Sequence, residues 1–305
     1  MKSSAAPSRS RRPIRRLLVI LLVLVAIWLG ASFAVAWKRT SRADPIAAEP
    51  AAPESLGIVD SLRLKTEDDE ELGAWFFPGP AEKPAVILLH GNRARREAMC
   101  DIAQLLHEAG YPLLIPTMRA HGDSTGDRND FGYSARHDVV AAVAEVERRR
   151  PGNRIVVLGQ SMGAAAALFA AEELQHRVDG YILECPYESL FTAVRNRTRA
   201  ELPVGLDWLA YAGLRVVAPL VLPDAPRINA AAAADRMPEG IPVLILAGGD
   251  DDRATPEEAQ NIARQLGGRA RVEIIPKARH VHLCDCDREK YQSLVLEFLD
   301  GIRKR

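Results

Sequence analysis

Several things are scarce in this 305-residue chain. Net charge is one: 40 lysines and arginines balance 40 aspartates and glutamates, so no basic field marks the chain for a nucleic-acid partner. Internal repetition is another, and without a fixed period the chain is not a solenoid or a repeat array. Cysteine is limited to Cys100, Cys185, Cys284 and Cys286. The first two read as buried or semi-buried packing residues. Long uncharged apolar runs are absent except at the N-terminus, and the remaining apolar content is that of an ordinary globular protein.

That exception is Leu17 to Trp37, preceded by Lys2, Arg9, Arg11, Arg12, Arg15 and Arg16. About 20 helical residues cover the hydrocarbon core of a bilayer, so residues 17–37 are long enough to cross one. Ala34-Val35-Ala36 also resembles the small-residue site of a cleavable signal peptide, but a typical signal core is shorter, and Trp28 and Trp37 suit a retained anchor. Six basic residues before the span against Lys38, Arg39 and Arg42 after it keep residues 1–16 cytoplasmic as a basic tail. The expected location is therefore the cell membrane, single-pass, with the rest of the chain periplasmic or otherwise extracytoplasmic. Residues 38–55 are rich in Ala and Pro with little to bury, which reads as a linker.

Residues 56–305 suffice for one well-cored domain. Val59 to Thr66 and Glu71 to Phe77 flank an acidic turn and predict an antiparallel hairpin. Short, continuously apolar runs then recur at Ala85 to Leu89, Leu113 to Pro116, Ile155 to Leu158, Tyr181 to Leu183 and Val243 to Leu246, with a last strand at Arg271 to Ile275. Continuous apolarity suits strands buried on both faces. Helical segments alternate with them, at Glu97 to Ala109, His137 to Arg150, Met162 to Leu174 and Pro256 to Leu266. The fold class is thus α/β, a mostly parallel sheet with helices on both faces.

Such sheets carry their chemistry on loops after the carboxyl ends of strands. Gly159-Gln160-Ser161-Met162-Gly163 follows an apolar β-run and precedes an alanine-rich helix. This spacing is that of a nucleophile elbow, where small residues two positions either side of the serine let neighbouring backbone pass close. The helix starting there aims free N–H groups at the site, ready for an oxyanion. His90-Gly91-Asn92 follows another strand, and the Asn92 and Met162 amides form the expected oxyanion hole. The loop Arg119-Ala120-His121-Gly122-Asp123-Ser124 reads as a structural support.

By this His-Gly loop, the Arg-x-His-Gly loop and the Gly-x-Ser-x-Gly elbow, residues 56–305 resemble the α/β-hydrolase superfamily. Glu184-Cys185-Pro186-Tyr187-Glu188-Ser189-Leu190 resembles a segment of its small-lid, esterase or serine-aminopeptidase-like branch. Thr117 and Ala120 depart from the usual Asp and Gly of the Arg-x-His-Gly loop. The resemblance implies a triad in the order Ser, Asp, His. Its acid stands three residues after a glycine, which selects Asp251 from Gly248, or four before a proline, which selects Asp252 from Pro256. The strand end is the more direct reference and favours Asp251. Two histidines follow the last strand, His280 and His282. Ala278-Arg279-His280-Val281 resembles the family's histidine loop, with Arg279 in place of glycine, and favours His280. His107, His137 and His176 fall on predicted helices and read as packed or solvated.

His280, His282, Cys284 and Cys286 alternate like a soft-metal site, yet in an extended strand residues two apart rise about 6.6 Å, too spread for one tetrahedral ion. Cys284 and Cys286 could alternatively pair in an oxidising compartment, though such a bridge is tight. No metal or cofactor enters the expected scheme, and nothing points to an oligomeric state. Residues 187–240 are less regular, with apolar patches around Trp208 and from Leu214 to Leu222, and read as a small helical lid or as helices simply packed on the sheet. The expected activity is a serine hydrolase of carboxylic esters, with a small-molecule ester, acyl or lipid-like, as substrate. A peptidase or acyltransferase on the same triad is the enzymatic alternative. An inactive membrane-tethered binding protein is the alternative of another class.

Overall fold

The computed structural model describes residues 12–57 and 59–303. Most of the basic tail, including Lys2, Arg9 and Arg11, lies outside the described residues. Eight strands form one sheet: β1 (Asp60–Lys65), β2 (Glu71–Phe77), β3 (Ala85–Leu89), β4 (Leu113–Pro116), β5 (Ile155–Gln160), β6 (Gly180–Glu184), β7 (Val243–Gly248) and β8 (Ala270–Ile275). Their spatial order is β1-β2-β4-β3-β5-β6-β7-β8. The pairs β1 with β2 and β2 with β4 are antiparallel, and the remaining pairs are parallel. Every residue of β3, β4, β5, β6 and β7 is buried. This is why these strands lack polar alternation: helices cover both of their faces.

The helices are α1 (Arg12–Thr40), α2 (Cys100–Glu108), α3 (Arg136–Arg149), α4 (Met162–Leu174), α5 (Leu190–Glu201), α6 (Leu206–Val221), α7 (Ala230–Asp235), α8 (Pro256–Gln265), α9 (Leu283–Cys286) and α10 (Arg288–Arg303). α4 is buried almost all round, and its run from Ala164 to Ala167 is wholly buried. Small side chains let this helix lie against the sheet centre. α5, α6 and α7 fill the interval between β6 and β7. α10 was not anticipated from the short apolar runs, although its buried Tyr291, Leu294, Val295, Leu299 and Ile302 recur at helical spacing.

α1 is the one helix among the described residues long and apolar enough to cross a membrane, with mean hydropathy 2.8 over its best window in Ile14–Thr40. The stretch after it is not free chain. The Arg42 amide donates to the Asp127 carbonyl, and its guanidinium donates to the carbonyls of Gly122, Ser124 and Gly126. The Ala47 amide donates to Gly122 as well. One arginine thus ties residues 41–47, expected to be a plain linker, to the loop after β4.

Candidate active site

Ser161 stands alone between β5 and α4, with φ 50° and ψ −106°. A non-glycine residue in this region is strained and persists only where its surroundings hold it. The two flanking glycines make the turn sterically feasible. A Cβ on Gly159 would come within 2.5 Å of the Gly163 carbonyl, and one on Gly163 would collide with the Leu89 backbone of β3. The Ser161 amide donates to the Glu184 carbonyl at 2.8 Å, which fastens the elbow to the end of β6.

His280 reaches this serine from the loop after β8. Its Nε2 lies 2.9 Å from Ser161 Oγ, and its Nδ1 lies 2.8 Å from Asp251 Oδ2. Asp251 is 4 % exposed, and its Oδ1 accepts the Arg253 and Ala254 amides at 2.9 and 3.0 Å. Burial pushes this carboxyl up, but the hydrogen bond and charge of His280, with the two amides, outweigh it and hold the group below its ordinary value. An ionised Asp251 accepts the proton on Nδ1, which leaves the Nε2 lone pair facing the serine hydroxyl. Asp252 is exposed and makes no side-chain hydrogen bond among the described residues. The loops after β7 and β8 are laced together by Gly249 N–H to Ile275 and Asp250 N–H to Ala278. Gly248 is required there, since a Cβ would strike the Ala278 carbonyl.

Two neutral imidazoles brace the opposite wall. Burial, with the neighbouring His121, pushes His90 down to about 3. Its Nδ1–H donates to the Gly91 carbonyl at 2.8 Å, and its Nε2 accepts the Met118 amide at 2.9 Å. His121 is likewise lowered by burial, and its Nε2 accepts the Arg93 amide at 3.1 Å. Between them, Asn92 Oδ1 accepts from Asn129 Nδ2 at 2.7 Å. The Asn92 and Met162 amides have no hydrogen-bond partner among the described residues. Around these histidines, Arg119 pairs with Asp138 at 2.7 Å and with Asp68, while Arg96 and Asp123 form a fully buried pair at 2.7 Å.

The His/Cys stretch does not converge. Residues 283–286 form the short helix α9 rather than an extended strand. His282 is exposed and faces Asp285 at 3.2 Å, Cys284 is buried, Cys286 is exposed, and all four cysteines are free. His280 is meanwhile engaged by Ser161 and Asp251. His107, His137 and His176 stand apart from this cluster, and His137 Nδ1 lies 2.7 Å from Glu67.

Some residues at the site carried no readable signal. A cavity of about 270 Å³ opens onto Ser161, Asn92 and His280 and is also lined by Asp101, Arg197 and Arg253. Beneath the elbow, Gln160 Nε2 donates to Glu184 at 2.9 Å, and the Tyr291 hydroxyl donates to the other oxygen of Glu184. Burial raises the Glu184 carboxyl to about 7. Tyr291 is supplied by α10, so the unanticipated helix explains part of the gap.

The sheet order and the strained serine between β5 and α4 are those of an α/β hydrolase. The chain belongs to the alpha/beta hydrolase family, whose profile matches residues 86–285. It is similar to an uncharacterized protein of Mycobacterium tuberculosis, 25% identical over 268 residues, covering 85% of this chain and 86% of the relative. It is also similar to human monoglyceride lipase, 27% identical over 138 residues, covering 44% of this chain and 45% of the lipase. Among solved structures, an esterase of Pyrococcus furiosus superposes with a TM-score of 0.69 at 26% identity, over 84% of this chain and 96% of the esterase.

Proposed function

We propose that this hydrolase cleaves carboxylic esters through a covalent acyl-enzyme on Ser161. The observation that carries the reading is the continuous relay from Ser161 Oγ through His280 to Asp251, with both links under 3 Å. In this scheme His280 Nε2 takes the Ser161 proton as Oγ attacks the ester carbonyl, and it returns that proton to the departing alcohol. Water then repeats the sequence on the acyl-enzyme and releases the acid. Asp251 holds the imidazole in the required tautomer and stabilises its protonated form. The unpartnered Asn92 and Met162 amides receive the oxyanion, a contribution worth about 3 kcal/mol per donor in comparable sites.

In the same reading α1 is a retained anchor, with residues 17–37 in the bilayer, the basic N-terminus cytoplasmic and the hydrolase domain on the extracytoplasmic side. The packing of Trp28 on Leu209 and of Ser32 on Gly213 supports retention, since a cut after Ala36 would remove both contacts. α5 to α7 form the lid, and its apolar side chains suit an acyl ester. A panel of p-nitrophenyl esters of increasing chain length, with matched amides and thioesters, tests the assignment. Ester cleavage lost in Ser161→Ala is the expected result. Preferential amide cleavage would point to a peptidase, and transfer to an added alcohol in place of hydrolysis would point to an acyltransferase.

A further inference from the structure

The anchor helix is not separate from the catalytic domain. Along its second half, Trp28, Ser32, Ala36 and Thr40 form a covered stripe at four-residue spacing, while every residue from Ile14 to Ile27 is exposed. Part of that stripe meets α6. The Trp28 indole N–H donates to the Leu209 carbonyl at 3.1 Å. Gly213 is buried against Ser32 and Trp28, where any Cβ would collide with the Ser32 hydroxyl. Further along, Arg128 lies over the Trp37 ring at 4.6 Å and donates to the Val221 carbonyl. The direct contacts advance in step, Trp28 with Leu209 and Ser32 with Gly213, and Arg128 bridges Trp37 to Val221 further on, so α6 runs in the same sense as α1.

Length then sets a constraint. The uncovered stretch from Ile14 to Ile27 spans about 21 Å at 1.5 Å per residue, short of the roughly 30 Å hydrocarbon core. If α1 crosses the bilayer, the core must extend along Trp28 to Trp37, the part of α1 that α6 accompanies. The outward face of α6 meets that requirement independently. Trp208, Leu209, Val216 and Leu220 are each more than half exposed, as is Leu206, and Val204 in the preceding turn is 98% exposed. Arg215 is the one charged residue of α6 on this face and is folded back onto the Phe191 ring and the Tyr211 hydroxyl, while Arg195 of α5, paired with Asp207, lies over the Trp208 ring at 3.9 Å. Exposed apolar surface of this extent on one element marks an interaction site. Arg199 and the Arg39–Glu201 pair flank it at the end of α5.

We infer that α6 and the turn at 202–205 are a second membrane-embedded element, lying beside α1 among the acyl chains of the leaflet that faces the catalytic domain. The inference rests on the reading of α1 as a retained anchor. It also gives the site a lipid-side entrance: α5 packs on α6, and its Arg197 lines the Ser161 cavity. An acyl ester would then reach the serine from the bilayer, with its chain along α6 and its ester at headgroup level.

The test uses the full chain with Cys100→Ala and Cys286→Ser, the two free cysteines that are not buried, in vesicles of phosphatidylcholine and phosphatidylglycerol. Single nitroxides are placed by Leu24→Cys on α1, by Val204→Cys and Val216→Cys on the proposed insertion, and by Glu239→Cys at the opposite end of the sheet. A cooperative thermal melt matching that of the parent chain shows that each variant is folded. Collision with dissolved oxygen relative to a nickel chelate should be several-fold higher at positions 24, 204 and 216 than at 239. Lipid exposure at 24 with chelate access at 204 and 216 would overturn the inference and leave the anchor standing. Chelate access at 24 would remove the anchor and the inference with it. Protection of 204 and 216 from both reagents, with spin broadening between copies, would assign this face to a second copy and also overturn it.

Discussion

Asp251→Asn separates the two candidate acids and tests the geometry of the relay. In the wild type, Oδ1 accepts two backbone amides, from Arg253 and Ala254, and Oδ2 faces His280 Nδ1. An asparagine keeps its oxygen on the two amides, since its NH2 has nothing to donate to there, and so turns that NH2 toward His280. The imidazole must then accept at Nδ1 and carry its proton on Nε2, pointing a donor at Ser161 where a base is required. The fold should survive because the loop amides remain satisfied. Loss of the correct tautomer lowers kcat by about 10⁴-fold in triads of this kind, equivalent to about 5.5 kcal/mol of transition-state stabilisation. The assay is saturating hydrolysis of a short p-nitrophenyl ester, with thermal melts as the folding control and Asp252→Asn alongside. Asp252 is exposed and unengaged, so its variant should stay within about twofold of wild type. A loss below about tenfold at Asp251, or an equal loss at Asp252, would refute the reasoning.

Other outcomes follow from the same geometry. Gly159→Ala drives a Cβ to 2.5 Å from the Gly163 carbonyl and should cost about 1–3 kcal/mol in a denaturant melt, with activity falling as the elbow shifts. Glu184→Gln should flatten the pH dependence of stability. The folded carboxyl is raised from 4.5 to about 7, so the folded state keeps a proton that the unfolded chain releases. Wild-type stability is therefore fully present below about pH 4.5 and falls by about 3 kcal/mol as pH rises to about 7. Melts at pH 5 and pH 8 should show the variant lacking most of this difference, and an unchanged slope would contradict it. His90→Phe removes the acceptor that holds the Met118 amide and the donor to Gly91. It should destabilise the chain by about 1–3 kcal/mol while displacing the Asn92 amide, read as a parallel drop in kcat.

The sheet was legible because its central strands are buried on both faces and therefore appear as uninterrupted apolar runs between helices. The elbow was legible for a steric reason: Gly159 and Gly163 are set by backbone approach, which leaves a short pattern around Ser161. The choice between Asp251 and Asp252 was harder, because both lie on one acidic loop. The structure separates them by burial and by two amides donated from residues two and three positions further on. The pairing of Glu184 with Gln160 and Tyr291 had no local signature, since its members are brought together by β5, β6 and α10. The contact of α1 with α6 was equally hidden. Gly213 looks like an ordinary helical glycine until Ser32 is placed against it.

The most direct measurement is intact-protein mass spectrometry after reaction with a fluorophosphonate. One adduct per chain, mapped to the peptide carrying Ser161 and absent from Ser161→Ala, is the predicted result. An unreacted wild type, or an adduct that persists in the Ser161→Ala chain, would contradict the account.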